Sequence, residues 1–209
     1  MNDKLTFGIG GIVIGLVLAT IFSSAMFPGA NMEKNGMMDS NRQNSGNDQM
    51  MGNLDKHFIE QMIPHHDGAV AMAKLALEKS NRSEIKTLAS AIIAGQTKET
   101  EDMTGWYKNW FGEDVPKGNT GMMGGGMMSG SGMHMGGQEE MASLQNATDF
   151  DKAFLEAMIP HHQMALMMVQ MLESGTERRE MIELAKNITV SQSEEIKDMQ
   201  GWYKEWYGK

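Results

Sequence analysis

The sequence predicts an all-α protein, a four-helix bundle built from two duplicated helical hairpins. The first observation is an internal repeat, because residues 54–112 align with residues 150–208 without a net insertion. The second is that apolar residues recur every three to four positions in each repeat, as on one face of an α-helix. Each repeat also contains one polar break that divides it into two helices. Two such hairpins bury their apolar faces against each other in a four-helix bundle.

The two helices of repeat 1 follow from this spacing. The first is predicted from apolar residues on one face: Phe58, Met62, Ala69, Met72 and Ala76. Asn81-Arg82-Ser83 is the break, and we expect Ser83 to be the N-cap of the next helix. The second helix has one stripe of mostly apolar residues: Ile85, Leu88, Ile92, Gln96, Glu99, Met103, Trp106 and Trp110. Repeat 2 shows the same pattern, with Ser174-Gly175 as its turn.

A proline stands inside the first helical pattern of each repeat, at Pro64 and Pro160. Inside a helix it removes one backbone hydrogen bond and clashes with the preceding turn, at a cost of about 3 kcal/mol unless something compensates. The alternative is a helix that begins near Pro64, with proline as its first residue. Since residues 55–63 continue the same apolar face, we favour a helix that continues through the proline and is kinked there.

Residues 1–27 have the features of an export segment. A nearly unbroken apolar run from Leu5 to Phe22 precedes Ser23-Ser24-Ala25, whose small side chains suit signal cleavage. The run has about 18 residues, long for a signal peptide and barely enough to span a bilayer. A cleaved signal peptide and a retained membrane anchor therefore both stay open. In either case we expect the functional part in the periplasm or outside the cell, with no membrane contact other than this segment.

Two further segments, residues 28–53 and 113–149, are rich in Gly, Ser, Asn and Met. Neither has a helical or a strand period, so we expect both to be flexible. The predicted helical hairpins then occupy residues 54–112 and 150–209. The formal net charge of -9 makes non-specific binding to nucleic acid an unfavourable hypothesis. The absence of cysteine excludes disulfides, thiolate zinc sites and iron–sulfur clusters.

The most informative motif is Met-Ile-Pro-His-His, which occurs at residues 62–66 and again at 158–162. It places four of the six histidines in adjacent pairs at equivalent positions: His65, His66, His161 and His162. Two such pairs favour metal ligation over packing, and imidazole suits copper, zinc, nickel and iron. Adjacent residues on a helix point about 100° apart. One histidine of each pair should therefore face inward and the other a neighbouring helix, and the sequence does not tell which.

Methionine narrows the choice of metal, because thioether sulfur favours Cu(I) and its analogue Ag(I). The chain has 24 methionines. Candidate ligands beside the histidine pairs or on the partner helices are Met62, Met72, Met103, Met158, Met164, Met168 and Met199. Candidates in the glycine-rich segment, where a packed core does not explain them, are Met122, Met123, Met127, Met128, Met133, His134 and Met135. Taken alone, the helical spacing of Met72 or Met171 predicts core packing.

Polar residues interrupt the apolar stripe of the second helix in each repeat. Gln96 and Glu99 lie on that stripe, as do Gln192 and Glu195. A buried carboxylate needs a partner, and a histidine N–H would fix the ring behind a metal ligand. Alternatively, these residues ring the end of the core. The Gly-Trp-Tyr blocks at 105–107 and 201–203 should close the end of the bundle, with cation–π contact to Cu(I) as the alternative.

These motifs resemble those of the family catalogued as domain of unknown function 305. Its hallmarks are Met-Ile-Pro-His-His and a later Gln-x-x-Glu-Ile-x-x-Met-x-x-Trp, which stands here at residues 192–202. In repeat 1, Thr100 replaces the isoleucine. With the Met-rich segments and the export signal, the chain is similar to the extracytoplasmic copper-resistance members of CopM type. The resemblance implies a ferritin-like four-helix bundle, binding of copper and silver, and copper tolerance, but not which residues are ligands.

We therefore expect an exported, non-enzymatic protein that sequesters Cu(I) or hands it over. Cu(II) is a further candidate ion, Ag(I) an analogue, and a copper efflux or chaperone protein a candidate partner. The histidine contribution to binding should weaken as the pH falls through about 6.5. Two alternatives stay open, a ferritin-like di-metal oxidase and a structural or partner-binding bundle. The oxidase requires Glu-x-x-His on two helices, whereas Glu60 and Glu156 precede His65 and His161 by five positions.

Overall fold

The computed structural model describes residues 44–116 and 138–208, and within these ranges the chain is all-α, as predicted. The helices are α1 (Asn44–Lys79), α2 (Ser83–Phe111), α3 (Gln138–Gln145), α4 (Phe150–Glu173) and α5 (Arg179–Tyr207). Helices α1 and α2 form the hairpin of repeat 1, and α4 and α5 form the hairpin of repeat 2. The two hairpins pack on each other within one chain, with α1 against α4. Exchange of hairpins between two chains is therefore not needed to complete the core.

Both prolines lie inside continuous helices, Pro64 in α1 and Pro160 in α4. The prediction of a helix that continues through the proline is confirmed, and the alternative of a helix that begins at Pro64 is wrong. The reason is visible in the burial pattern, since Phe58, Ile59 and Met62 before the proline are as deeply buried as Ala69 after it. Burial of apolar surface on both sides of the proline offsets the lost hydrogen bond.

Helical structure extends into both segments that the composition marks as irregular. Helix α1 begins at Asn44, within the segment 28–53, and α3 occupies Gln138–Gln145, within the segment 113–149. Leu144 of α3 is 2% exposed and packs into the bundle core. Burial of Leu144 against the core stabilises this short helix, and the composition of the segment does not reveal such a contact. Residues 28–43 and 117–137 lie outside the described residues, as does the predicted export segment 1–27.

The predicted N-cap of α2 is wrong. Arg82 occupies the cap position and makes no side-chain cap bond, whereas Ser83 is already the first helical residue. The Ser83 hydroxyl donates to Glu84 Oε2 (3.0 Å), and Ser80 Oγ instead accepts from the Arg82 backbone N–H (3.1 Å). Repeat 2 builds the same turn with Thr176, whose hydroxyl oxygen accepts from Arg178 N (3.3 Å). The hydroxyl that organises the first turn thus stands three residues before Ser83, and Thr176 occupies the equivalent position in repeat 2.

The apolar core consists of two clusters in the described residues, and each contains side chains from both repeats. Cluster A joins the end of α1 and the start of α2 to the start of α4 and the end of α5; it includes Ala69, Met72, Ala76, Ile85, Ile92, Phe154, Met158, Ile196 and Met199. Cluster B is its counterpart, and it includes Phe58, Met62, Met103, Tyr107, Ala165, Val169, Leu172, Met181 and Ile188. The hairpins therefore run antiparallel, and each completes the core of the other.

An arginine, an aspartate and a tryptophan tie the two repeats together at each end. Arg178 Nε pairs with Asp55 Oδ2 (3.0 Å), and its guanidinium lies 4.3 Å from the Trp110 ring centroid. At the other end Arg82 Nε pairs with Asp151 Oδ2 (3.3 Å), and its guanidinium carbon lies 3.9 Å from the Trp206 ring centroid. The cation that contacts Trp110 and Trp206 is thus an arginine guanidinium, whereas the sequence left a contact with Cu(I) open. The tryptophan blocks pack at the ends of the core, as the sequence predicts.

Among the helices of residues 44–116 and 138–208, none is both long enough and apolar enough to cross a membrane. The apolar run from Leu5 to Phe22 lies outside those ranges, so the choice between signal peptide and anchor stays a prediction.

Candidate metal site

A layer of polar side chains lies between clusters A and B, at the level of the histidine pairs. On each of the four long helices its residues stand between the apolar positions of one cluster and those of the other. We call it the histidine layer, and it consists of His65, His66, Gln96, Glu99, His161, His162, Gln192 and Glu195. The histidines and glutamines are buried, and the glutamates are partly exposed. The alternative that Gln96, Glu99, Gln192 and Glu195 merely ring the end of the core is therefore wrong.

The first histidine of each pair faces the other repeat. The rings of His65 and His161 lie 3.7 Å apart between centroids, tilted by 38°. His65 Nε2–H donates to the backbone carbonyl of His161 (3.1 Å). This contact joins α1 to α4 at the centre of the bundle and answers which histidine of each pair points inward.

The second histidine of each pair faces the partner helix of its own hairpin. His66 Nε2 lies 2.7 Å from Glu99 Oε2, and His162 Nε2 lies 2.6 Å from Glu195 Oε2. A deprotonated carboxylate only accepts hydrogen bonds, so each ring carries a proton on Nε2, and in the neutral ring the lone pair is then on Nδ1. This arrangement is typical of metal-ligating histidines, whose second nitrogen donates to a carboxylate that fixes the ring. The predicted pairing of the glutamates with histidine is confirmed.

Several buried polar atoms of the layer have no hydrogen-bond partner among the described residues. They are the Nδ1 atoms of His65, His66, His161 and His162, Nε2 of His161, and both amide atoms of Gln96 and Gln192. An unpaired buried polar group costs about 1–3 kcal/mol, so this much unmet bonding in one layer calls for an explanation. Imidazole nitrogens with free lone pairs fit a bound metal ion.

Burial governs the protonation of the inward-facing histidines. It lowers the pKa of His65 to about 4, and the neighbouring His66 and His162 act in the same direction. It lowers the pKa of His161 to about 2, with His65 and His162 adding to the effect. Both rings are therefore neutral well below neutral pH. The expectation that histidine ligation weakens as the pH falls through about 6.5 stays a prediction; for this pair the lowered pKa values place the loss at lower pH, because the deprotonated form that a metal requires persists there.

Thioethers flank the histidine layer in both clusters. Met62 and Met103 are fully buried in cluster B, and Met72, Met158 and Met199 are fully buried in cluster A. Met62 precedes His66 by four residues and Met103 follows Glu99 by four, so each lies one helical turn from the His66–Glu99 pair. Met158 and Met199 have the same relation to His162 and Glu195. The structure thus brings buried thioethers to the neighbourhood of both pairs.

The remaining methionines of α4 do not join the buried layer. Met164 and Met168 are only half-buried. Met171, whose spacing predicts core packing, is 67% exposed, so that prediction is wrong, whereas Met72 is in the core as predicted. Helical spacing fixes which residues share a face but not whether a neighbour covers it. The candidate ligands at 122, 123, 127, 128, 133, 134 and 135 lie outside the described residues.

Within the described part of the chain, no group of three or more His, Asp or Glu side chains is arranged to hold a metal ion. A hard, all-carboxylate or carboxylate–histidine centre of the ferritin kind is therefore not formed by these residues. A soft ion needs fewer donors of this kind, since thioether sulfur and imidazole nitrogen can complete its shell. The donors that this structure places together fit the second chemistry.

Two tyrosines that sequence reasoning overlooked donate hydrogen bonds to Glu60 and Glu156, which precede the histidine pairs by five residues in sequence. Tyr107 donates to Glu60 Oε1 (2.7 Å), and Tyr203 donates to Glu156 Oε1 (2.6 Å). The signal was present in the repeat, because both pairs have the same separation of 47 residues. A di-metal oxidase would need such glutamates as metal ligands. Here each of them instead accepts a hydrogen bond from a tyrosine.

Solved structures of known proteins share this fold. CopM in the Cu(II)-bound form is 46% identical, with a TM-score of 0.64, over 73% of this chain and 97% of that chain. CopM in the Cu(I)-bound form is 42% identical, with a TM-score of 0.62, over 74% and 98%. A DUF305 fragment from Deinococcus radiodurans is 27% identical, with a TM-score of 0.59, over 71% and 93%. CopM has also been solved in Ag-bound forms.

Comparison of the sequence gives a family and one partial relative. "Uncharacterized protein L153" of Acanthamoeba polyphaga mimivirus is 41% identical over 49 residues, 23% of this chain. That match spans 32% of the relative's length, about a third. The family model described as Domain of unknown function (DUF305) matches residues 55–203, which include both hairpins. Because that range is more than half of the chain, the chain belongs to the DUF305 family.

Proposed function

We propose that this protein binds Cu(I), and also Ag(I), outside the cytoplasm and sequesters or transfers it in metal tolerance. The observation that supports this most strongly is the likeness to CopM in its Cu(I)-bound form, at 42% identity over 98% of that chain. The residues that the DUF305 family model matches, 55–203, include the twin histidine pairs and the buried methionines. Copper is the cargo in this proposal, so the protein acts by holding and releasing the ion.

The chain's own donors support a soft ion. Each hairpin offers an Nδ1 lone pair, on His66 or His162, behind which a glutamate holds the ring. Buried thioethers lie one helical turn away on the same helices. In this proposal the glutamates orient the rings and the apolar clusters exclude water from the site. In this proposal the candidate methionines of the glycine-rich segment, at 122, 123, 127, 128, 133 and 135, capture the ion first.

Export and partner belong to the same proposal. Residues 1–27 direct the chain to the periplasm or the exterior, as a cleaved signal peptide or as an anchor. A copper efflux or chaperone protein is the proposed partner for transfer. We propose no enzymatic activity, and Fe(II)-dependent oxygen uptake that disappears in His65→Ala would contradict that.

Titration of the purified chain with Cu(I), Ag(I) and Zn(II) tests the metal. Competition against a Cu(I)-specific chelator, without oxygen, should give tighter binding of Cu(I) and Ag(I) than of Zn(II). Zinc that binds as tightly as Cu(I), and at the same residues, would contradict the proposal.

Histidine variants test the site. His66→Ala with His162→Ala should weaken Cu(I) binding at the layer. His57→Ala is the matched control, because His57 lies on α1 near Glu60 with a side chain 38% exposed and outside the layer. If all four paired histidines can be replaced without a change in metal stoichiometry while the fold persists by circular dichroism, the structural or partner-binding alternative is favoured.

A further inference from the structure

The outer flank of α4 presents four methionines at consecutive helical spacing. Met164, Met167, Met168 and Met171 follow the pattern i, i+3, i+4, i+7, which places them on one stripe of the helix. Met167 is 48% exposed and Met171 is 67% exposed. Both belong to the small set of large apolar side chains in the described residues that remain open to solvent. We call these four residues the α4 methionine stripe.

Packing accounts for one member of the stripe. Met168 contacts cluster B, and its counterpart in repeat 1 is the buried Met72. The counterparts of Met164, Met167 and Met171 are Gly68, Ala71 and Leu75. Helix α1 therefore builds the same element without a thioether at any of these three positions. The additional methionines of repeat 2 are not a requirement of the fold.

The choice of residue points to sulfur chemistry. Leucine or isoleucine would supply an apolar surface equally well, yet all four positions hold methionine. Side chains three and four residues apart have Cβ atoms about 5–6 Å from each other. Methionine has three rotatable bonds beyond that, so neighbouring sulfurs can converge on one ion. The formal net charge of -9 favours the approach of a cation.

We propose that the thioethers of Met164, Met167 and Met171 form a solvent-facing binding site for a soft monovalent ion, Cu(I) or Ag(I), distinct from the buried histidine layer. This site rests on the proposed function, since it binds the same cargo. Met167 and Met171 are exposed and Met164 is half-buried, so the ion exchanges with solvent or a partner without opening the bundle. Repeat 2 thus has an exchange site that repeat 1 lacks, beside a buried site that both repeats share.

Silver titration of the full chain labelled with [13C-methyl]methionine tests this site. Ag(I) should shift the methyl signals of the three residues together, and the shift should persist in the His66→Ala, His162→Ala protein. The variant Met164→Leu, Met167→Leu, Met171→Leu should bind one Ag(I) equivalent fewer than the parent. The double variant Met167→Leu, Met171→Leu alters only the most exposed positions, so it keeps the test available if the triple variant misfolds. Met181→Leu removes a buried thioether away from the stripe and is the control, with an unchanged stoichiometry.

The outcomes separate this site from the function on which it rests. Unchanged stoichiometry in the leucine variants, with methyl signals that stay in place while Ag(I) binds elsewhere, would overturn the site and leave the proposed function standing. The stripe would then be an apolar surface only. A chain that binds neither Ag(I) nor Cu(I) at any position would overturn both.

Discussion

The two repeats differ in their apolar cores far more than in the polar layer between them. Ala73 and Ala76 in α1 correspond to Val169 and Leu172 in α4, and Ile85 in α2 corresponds to Met181 in α5. The histidine–glutamate bonds, by contrast, differ by only 0.1 Å between repeats, at 2.7 and 2.6 Å. An apolar cluster needs the right total volume, whereas a hydrogen-bonded or ligating group needs a particular atom at a particular place. The comparison thus separates positions that fill space from positions that need a particular polar atom.

The largest expected effect concerns the inward-facing histidines of both repeats. Their folded pKa values, about 4 for His65 and about 2 for His161, lie below the unfolded value of 6.5. Between pH 6.5 and 4 the unfolded chain binds more protons, so the free energy of unfolding falls as the pH falls. The slope approaches about 1.4 kcal/mol per pH unit for each histidine. Urea unfolding at a series of pH values measures it.

Asp55 works in the opposite sense, because burial raises its pKa and protonation relieves the cost of burying its charge. Protonation of Asp55 therefore offsets part of the free energy of unfolding that the two histidines lose as the pH falls. Stability that stays constant or rises from pH 6.5 to 5 would contradict the neutral histidine pair. NMR of the imidazole signals sharpens the comparison between repeats, since His65 should protonate at a higher pH than His161.

The arginine–aspartate pairs at the two ends should respond unequally to removal of the arginine. Arg178→Ala leaves Asp55, whose side chain is 2% exposed, without its ion pair, and should cost about 3 kcal/mol. Arg82→Ala should cost less, because the side chain of Asp151 is 17% exposed and water can replace part of the pair. Free energies of unfolding from urea titrations measure both. Equal losses would show that burial of the aspartate does not set the difference.

The histidine–glutamate pairs should respond equally. Glu99→Gln and Glu195→Gln each remove the carboxylate behind a ring and should lower the Cu(I) affinity of the layer about 10–100-fold. Competition titration with a Cu(I) chelator measures the loss, and Glu101→Gln on the exposed face of α2 is the control. If only one of the two variants lost Cu(I) affinity, the His66–Glu99 and His162–Glu195 pairs would not be equivalent.

The smallest expected effect is at the tyrosines. Tyr107 is fully buried, and burial together with its bond to Glu60 raises its pKa to about 12. Tyr107→Phe should therefore cost about 1–1.5 kcal/mol of unfolding free energy. Tyr203 makes the same bond at a more exposed place, so Tyr203→Phe should cost less than about 0.5 kcal/mol. Thermal and urea unfolding of the two variants test this order, and a larger loss for Tyr203→Phe would reverse it.

The sequence by itself determined the architecture and the level of the site. The repeat and the apolar period predicted two helical hairpins, because a helix must bury the face on which its apolar residues recur. The position of Glu99 on the stripe of α2 predicted a partner for its carboxylate, since a buried charge requires one. These inferences use local periodicity and burial cost, which are properties of the chain order.

Only the tertiary structure decided which histidine faces which neighbour and which methionines are covered. His65 meets His161 because the hairpins pack antiparallel, an arrangement that no local pattern specifies. Met72 and Met171 have similar helical spacing, yet one is buried and the other is 67% exposed. The difference arises because burial depends on the element that packs against a face, and that element is distant in sequence.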